Sequence, residues 1–166
     1  MSTAFLVSLF QHKAWCNQRL VDALRAAPAD ADPGRMAVVL LTLDHTSIVD
    51  QIFKARLSGG AHPFSSVVAE RVPDPATLGG TLAETDAWYL DYAARVTPDE
   101  LATEVRFTFV SDGDDGRMTK GEMLAHVITH SASHRGAIGR MLERMQVRGA
   151  SDMVTSFLSQ GRATAP

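Results

Sequence analysis

Apolar residues recur along most of the chain at steps of three and four, the spacing of helices that each bury one face. Val7, Phe10, Ala14, Val21 and Leu24 keep that period and predict a first helix over residues 3–26. Asn17 completes the series, a polar residue on an apolar stripe. Its amide is either buried against backbone partners or placed beside a functional site. His12 and Trp15 face elsewhere, and Cys16 reads as a small buried hydrophobe. Ala27-Pro28 breaks the helix, and Asp32-Pro33 can cap and start a second one over 33–58, ended by Ser58-Gly59-Gly60. The stripe of this second helix is Val38, Leu41, His45, Ile48 and Ile52.

Residues 59–76 carry no helical period. His62-Pro63 and Pro73-Asp74-Pro75 suit a loop, with His62 exposed. A third helix over 77–96 puts Leu82, Thr85, Tyr89, Tyr92 and Val96 on one face, with Trp88 beside it. Thr81 with Glu84, or else Thr77, supplies its cap. Thr97 to Glu100 make a turn or a single helical turn. The period then changes to two: Val105, Phe107 and Phe109 alternate with Arg106, Thr108 and Val110, a strand. Ser111 to Gly116 form a turn, and residues 117–119 a short return strand. The acidic turn is no calcium loop, because Arg117 stands at the sixth position from Asp112, where such a loop needs glycine.

Thr119-Lys120-Gly121-Glu122 is a capping box that opens the most informative stretch, residues 119–147. Met123, Val127, Ile138, Met141 and Met145 mark its stripe, and Gly149 can cap its end. Residues 151–160 predict a short terminal helix carrying Met153, Val154, Phe157 and Leu158, followed by a frayed tail over 161–166. These elements predict a mainly all-α fold in a single domain over residues 1–166. Four long helices form a bundle, with a short β-hairpin before the fourth and a short C-terminal helix after it.

His130 and His134 fall on the stripe of the fourth long helix, between Val127 and Ile138, so two imidazoles share one helical face. Burying polar rings is costly unless they are satisfied. Either hydrogen bonds within the core do so, or a metal ion takes one nitrogen from each, for which H-x-x-x-H is a suitable spacing. His45 gives the second helix a third core-stripe imidazole. Three histidines on two helices call for a common explanation, and three neutral imidazoles leave a tetrahedral metal one open position. His126 is the rival ligand, four residues before His130. The stripe 123, 127, 130, 134, 138 bypasses it and leaves it flanking the site. Asp44 and Asp50 lie beside the stripe of the second helix, where they can accept hydrogen bonds from ligand imidazoles.

Composition removes alternatives. The chain has 166 residues, 45% apolar and 21% charged, as in an ordinary globular protein. A net charge of −3 without a basic block gives no footprint for nucleic acid. Cys16 is the only cysteine, which excludes an internal disulfide and a cysteine-cluster zinc site. No signal peptide is evident and no apolar run approaches membrane-spanning length, so the expectation is a cytoplasmic protein without a membrane partner.

Over nearly its whole length the chain resembles the DinB family of DinB/YfiT-like metalloenzymes. The resemblance lies in LFQHKAWCNQRLVDAL near the start, LDHTSIVDQIF in the second helix and, most specifically, TKGEMLAHVITHSASHRGAIGRML. It implies a four-helix bundle holding a divalent metal, zinc or nickel, with the family's ligand positions at His45, His130 and His134. It also implies a homodimer and, from the family's known activities, thiol-dependent transfer or isomerisation on a small-molecule substrate with a low-molecular-weight thiol. Two positions depart from the family pattern: Ser133 stands where a further histidine is frequent, and Ala137 where glutamine is. Both remove polar groups near the site and bear on substrate contacts more than on metal. The alternatives are a non-catalytic metal-binding stress-related protein, a metal-water hydrolase, and a metal-free core of hydrogen-bonded histidines.

Overall fold

Three helices of this chain begin with the same device, a short polar cap followed by proline at the first helical position. Asp32-Pro33, Asp74-Pro75 and Thr97-Pro98 start α2 (Pro33–Leu57), α3 (Pro75–Arg95) and the single-turn α4 (Pro98–Ala102). Proline lacks an N–H that would be orphaned there anyway, and the cap oxygen accepts from the next ones. The structure, a computed structural model, describes residues 3–148 and 152–163. Its other elements are α1 (Thr3–Arg25), β1 (Glu104–Thr108), β2 (Asp115–Thr119), α5 (Lys120–Arg144) and α6 (Val154–Ala163).

Helix α3 thus starts two residues before the expected boundary. Asp74 accepts from Thr77 N and from the Thr77 hydroxyl, so neither Thr77 nor Thr81 is the cap. The capping box at Thr119 and Glu122 forms as expected. At the other end α5 stops at Arg144, before the expected Gly149, which lies outside the described residues. Gln146 takes the left-handed conformation there (φ 57°). Its N–H donates to Glu143 O, and Val147 N–H donates to Leu142 O at 2.9 Å. That pair of bonds, with Val147 packed beside Leu142, is a Schellman closure with glutamine in glycine's usual place. The terminal helix begins at Val154 rather than 151 and runs on to Ala163, into the expected tail; residues 151 and 164–166 lie outside the described residues.

α1 packs chiefly on α3, and α2 on α5. The hairpin pairs antiparallel from Glu104 with Thr119 to Thr108 with Asp115. Gly116 faces Phe107, whose ring would lie 2.4 Å from an added Cβ, so this position takes glycine for want of space.

The core has two apolar halves. Leu6, Phe10, Val49, Phe53, Tyr89, Met123 and Val127 fill one end of the bundle. Leu20, Val39, Leu43, Leu82, Ile138 and Leu142 fill the other. Between them each long helix interrupts its stripe with buried polar residues: Lys13 and Asn17, Thr46 and Asp50, Thr85 and Asp86, Ser131 and Arg135. Lys13, 1% exposed, places its ammonium 2.8 Å from Asp50 and 2.5 Å from Asp86. Asn17 donates to Asp86 at 2.8 Å and accepts from Arg135 at 3.1 Å, Ser131 donates to Asp50, and Tyr89 donates to Asp50 O. Buried charges are tolerated when paired and fully hydrogen-bonded in this way.

By length and composition α2 alone among the described helices could cross a membrane, contrary to the reading of the sequence. It is instead the most buried helix of the bundle's core face, from Val39 to Leu57.

Candidate metal centre

Two long helices meet where their histidines lie. His45 comes from α2 and His130 and His134 from α5, and one nitrogen of each lies within 4.8 Å of the others. Nε2 of His45 is 3.2 Å from Nε2 of His130. The ring centroids are 5.1 Å apart for His45 and His130, 4.9 Å for His45 and His134, and 4.5 Å for His130 and His134. Nδ1 of His45 lies 2.8 Å from Val67 O, in the loop between α2 and α3. A carbonyl only accepts, so Nδ1 carries the proton and Nε2 presents its lone pair to the cluster.

The three rings stand half-buried at the edge of the bundle rather than at its centre, which corrects the expected register. On α5 the inward positions are Val127, Ser131, Arg135, Ile138 and Leu142. The eleven steps from Val127 to Ile138 divide into threes and fours in more than one order. The sequence pattern through 130 and 134 and the observed one through 131 and 135 share both endpoints. Ser131 and Arg135 turn inward because Asp50, Asn17 and Asp152 satisfy them there. On α2 the buried line is Val39, Leu43, Thr46, Asp50, Phe53 and Leu57, while the expected stripe member Val38 is 49% exposed.

Electrostatics keep the site in ligand form. Burial, and then the neighbouring His134, His126 and His45, pull His130 down to about 3. Burial and His45 lower His134, and burial lowers His126. Neutral imidazoles are what a metal requires. A tetrahedral ion with bonds of about 2.0–2.1 Å would set its nitrogen ligands about 3.3 Å apart, close to the 3.2 Å between His45 and His130. One proton shared between those two Nε2 atoms would leave His134 out, and the buried Nδ1 atom of His130 has no partner among the described residues. A cation accepts all three lone pairs, so these residues fit a metal ion.

The remaining sequence expectations divide. His126 flanks the group as expected, stacked on His130 (5.1 Å) and on Phe53 (4.7 Å). Asp50 does not orient an imidazole, because Lys13 and Ser131 engage it. Asp44 feels His45 electrostatically but makes no hydrogen bond to it; the Val67 carbonyl holds His45. Asn17 belongs to the central polar layer, bonded to side chains rather than to backbone. His62 is half-buried and stacked near Phe64, not exposed.

His12 faces inward, against expectation, and forms a second cluster with Cys16 and Asp152. Its Nε2 is 3.2 Å from Cys16 Sγ and 3.7 Å from Asp152 Oδ1. Burial pushes the Cys16 thiol up to about 12, so it is a poor nucleophile. Arg135 already grips Asp152 through two nitrogens, at 3.1 and 3.2 Å. The i, i+4 spacing of His12 and Cys16 was the available signal for this cluster. The central Lys13 layer had a weaker one, a single lysine beside an apolar stripe.

A cleft of about 190 Å³ opens beside His45 and His130, walled by Val49, Ile52, Phe53, Arg56, Val67, Phe109 and His126. The family model of the DinB superfamily matches residues 7–138, from α1 through both histidines of α5. No curated protein matches the chain, and no solved structure does. With the match covering most of its length, the chain belongs to the DinB superfamily.

Proposed function

We propose that this chain binds one divalent metal ion, zinc or nickel, on His45, His130 and His134. The open position serves a low-molecular-weight thiol in an S-transfer or isomerisation. The convergence of three imidazoles, two of which, His45 and His130, line an apolar cleft, is the observation that carries this reading. A divalent ion bound there would lower the pKa of a coordinated thiol and supply a thiolate at neutral pH. The chain's own contribution is orientation and exclusion of water. Val67 fixes His45, His126 and Phe53 back the α5 rings, and the cleft wall keeps the open side apolar. The thiol is supported by family membership, since known DinB activities include thiol-dependent transfer and isomerisation. Hydrolysis by a metal-bound water is less well supported: among the described residues no carboxylate lines the cleft, which leaves His126 as the base it would need.

The test is elemental analysis of the purified chain and four variants. The wild type should carry about one divalent metal per chain. His45→Ala, His130→Ala and His134→Ala should each lose it, and His126→Ala should keep it. Chelation should lower the wild-type melting temperature and leave the ligand variants unmoved. At 100-fold excess of metal over Kd the linkage is about 2.7 kcal/mol. No uptake of added zinc or nickel would overturn the proposal, as would loss of metal from His126→Ala with retention in His134→Ala.

A further inference from the structure

One helical face of α2 supplies one side of the cleft. His45, Val49, Ile52 and Arg56 all line it, with Arg56 eleven residues after His45. At about 1.5 Å per residue their Cα atoms lie about 16 Å apart along the axis. Both side chains line the cleft. The rest of the wall includes Phe53, Val67, Phe109, Val110, Ser111 and His126.

Arg56 is a cation without a counter-ion among the described residues. It donates to Thr108 O at 2.6 Å, and its guanidinium lies 4.0 Å from the Phe107 ring centre and 5.5 Å from that of Phe53. No carboxylate among the described residues pairs with it. Burial lowers its pKa, and no opposing carboxylate raises it. An arginine whose guanidinium lies over an aromatic ring beside an apolar cleft has further donors available for a planar anion. The carbonyl bond and the ring hold the guanidinium in place in advance, which reduces the entropy lost on binding.

We infer that the cleft takes an elongated monoanion, a carboxylate with an apolar body, whose carboxylate sits on Arg56 and whose reacting end lies at the histidine cluster. This rests on the proposed metal-thiol reading for the reacting end alone; the carboxylate subsite stands on Arg56 and the cleft. The cleft's volume of about 190 Å³ suits a small ligand, and among the described residues its wall offers a polar ligand no other charged partner. An uncharged substrate of the same shape would leave Arg56 desolvated and unpaired, so the discrimination is against the neutral isostere.

The experiment uses bifunctional probes. The cobalt-substituted protein is titrated with 6-mercaptohexanoate and with 6-mercaptohexanamide, and the sulfur-to-cobalt absorption band is followed. Both should raise the band, with the carboxylate binding at least tenfold more tightly. Arg56→Gln keeps a donor for Thr108 and removes the charge; it should bring the two affinities together while metal content stays unchanged. Arg56→Lys should keep part of the preference, and Arg106→Met, on the neighbouring strand, all of it. Equal affinities in the wild type would overturn the inference, as would a preference that survives Arg56→Gln. If no metal binds, hexanoate and hexanamide are compared on the metal-free protein by NMR. A carboxylate preference lost in Arg56→Gln would then uphold the anion subsite while the metal reading falls; no preference would sink the subsite as well.

Discussion

His130 resists protonation because its proton would have to enter a half-buried pocket beside three other imidazoles. Its pKa falls from an ordinary 6.5 to about 3 in the folded chain. Below pH 6.5 the unfolded chain therefore takes up a proton that the folded chain refuses, and acid favours unfolding. Above 6.5 both states are neutral and the group contributes nothing. The stability of the metal-free protein should thus decline from pH 6.5 towards pH 3, more steeply in the wild type than in His130→Leu. Urea midpoints across that range check it, and parallel slopes would refute it. The identity of these residues was legible in the sequence, because imidazoles on two apolar helices need a reason. Their exact direction was not. Two orderings of threes and fours fit the span from Val127 to Ile138, and only the partners of Ser131 and Arg135 decide between them.

At the scale of elements the sequence spoke most clearly where a local bond does the work. The Asp32-Pro33 start, the Thr119 capping box and the period-two hairpin all form within a few residues of their signal. The end of α5 was misread because glycine is the usual sign of a closure and here a glutamine adopts the required conformation. Val147 stabilises that closure by reaching the core, a contact that local sequence does not display. The left-handed conformation costs a non-glycine residue about 1–2 kcal/mol. Part of that would be offset by the greater freedom glycine gives the unfolded chain. Gln146→Gly should therefore stabilise the protein by about 0.5–1 kcal/mol, seen as a higher urea midpoint at unchanged slope. A lower midpoint would mean that the Gln146 side chain contributes contacts of its own.

Across the whole molecule, the two apolar halves are joined through charges. Lys13 ties α1 to α2 and α3 at once, and Arg135 links α5 to α1 and to the segment before α6. Burial alone would pull the Lys13 ammonium down, but Asp50 and Asp86 more than offset it, and it stays charged. Lys13→Met removes the cation and leaves two carboxylates facing each other in the core. Breaking a buried pair in this way costs about 3–5 kcal/mol, which for a domain of this size is a large part of the total. Chemical denaturation should show it, with metal content per folded chain unchanged because the histidines lie outside the layer. A cost below about 1 kcal/mol would mean that water reaches the layer. A long-range triad of this kind leaves little trace in a sequence, since its members are separated by tens of residues.

The contact at Val67 has a consequence for how such a site can diverge. His45 is held by a main-chain carbonyl, which every residue type possesses. Selection on that contact acts on the path of the loop and not on the letter at position 67. Lineages can therefore rewrite the stretch between α2 and α3 and change the wall of the cleft, while the imidazole keeps the same tautomer and aim. The stretch beside the cleft can change its side chains without losing that carbonyl, whereas replacing a histidine on either helix removes an imidazole from the cluster.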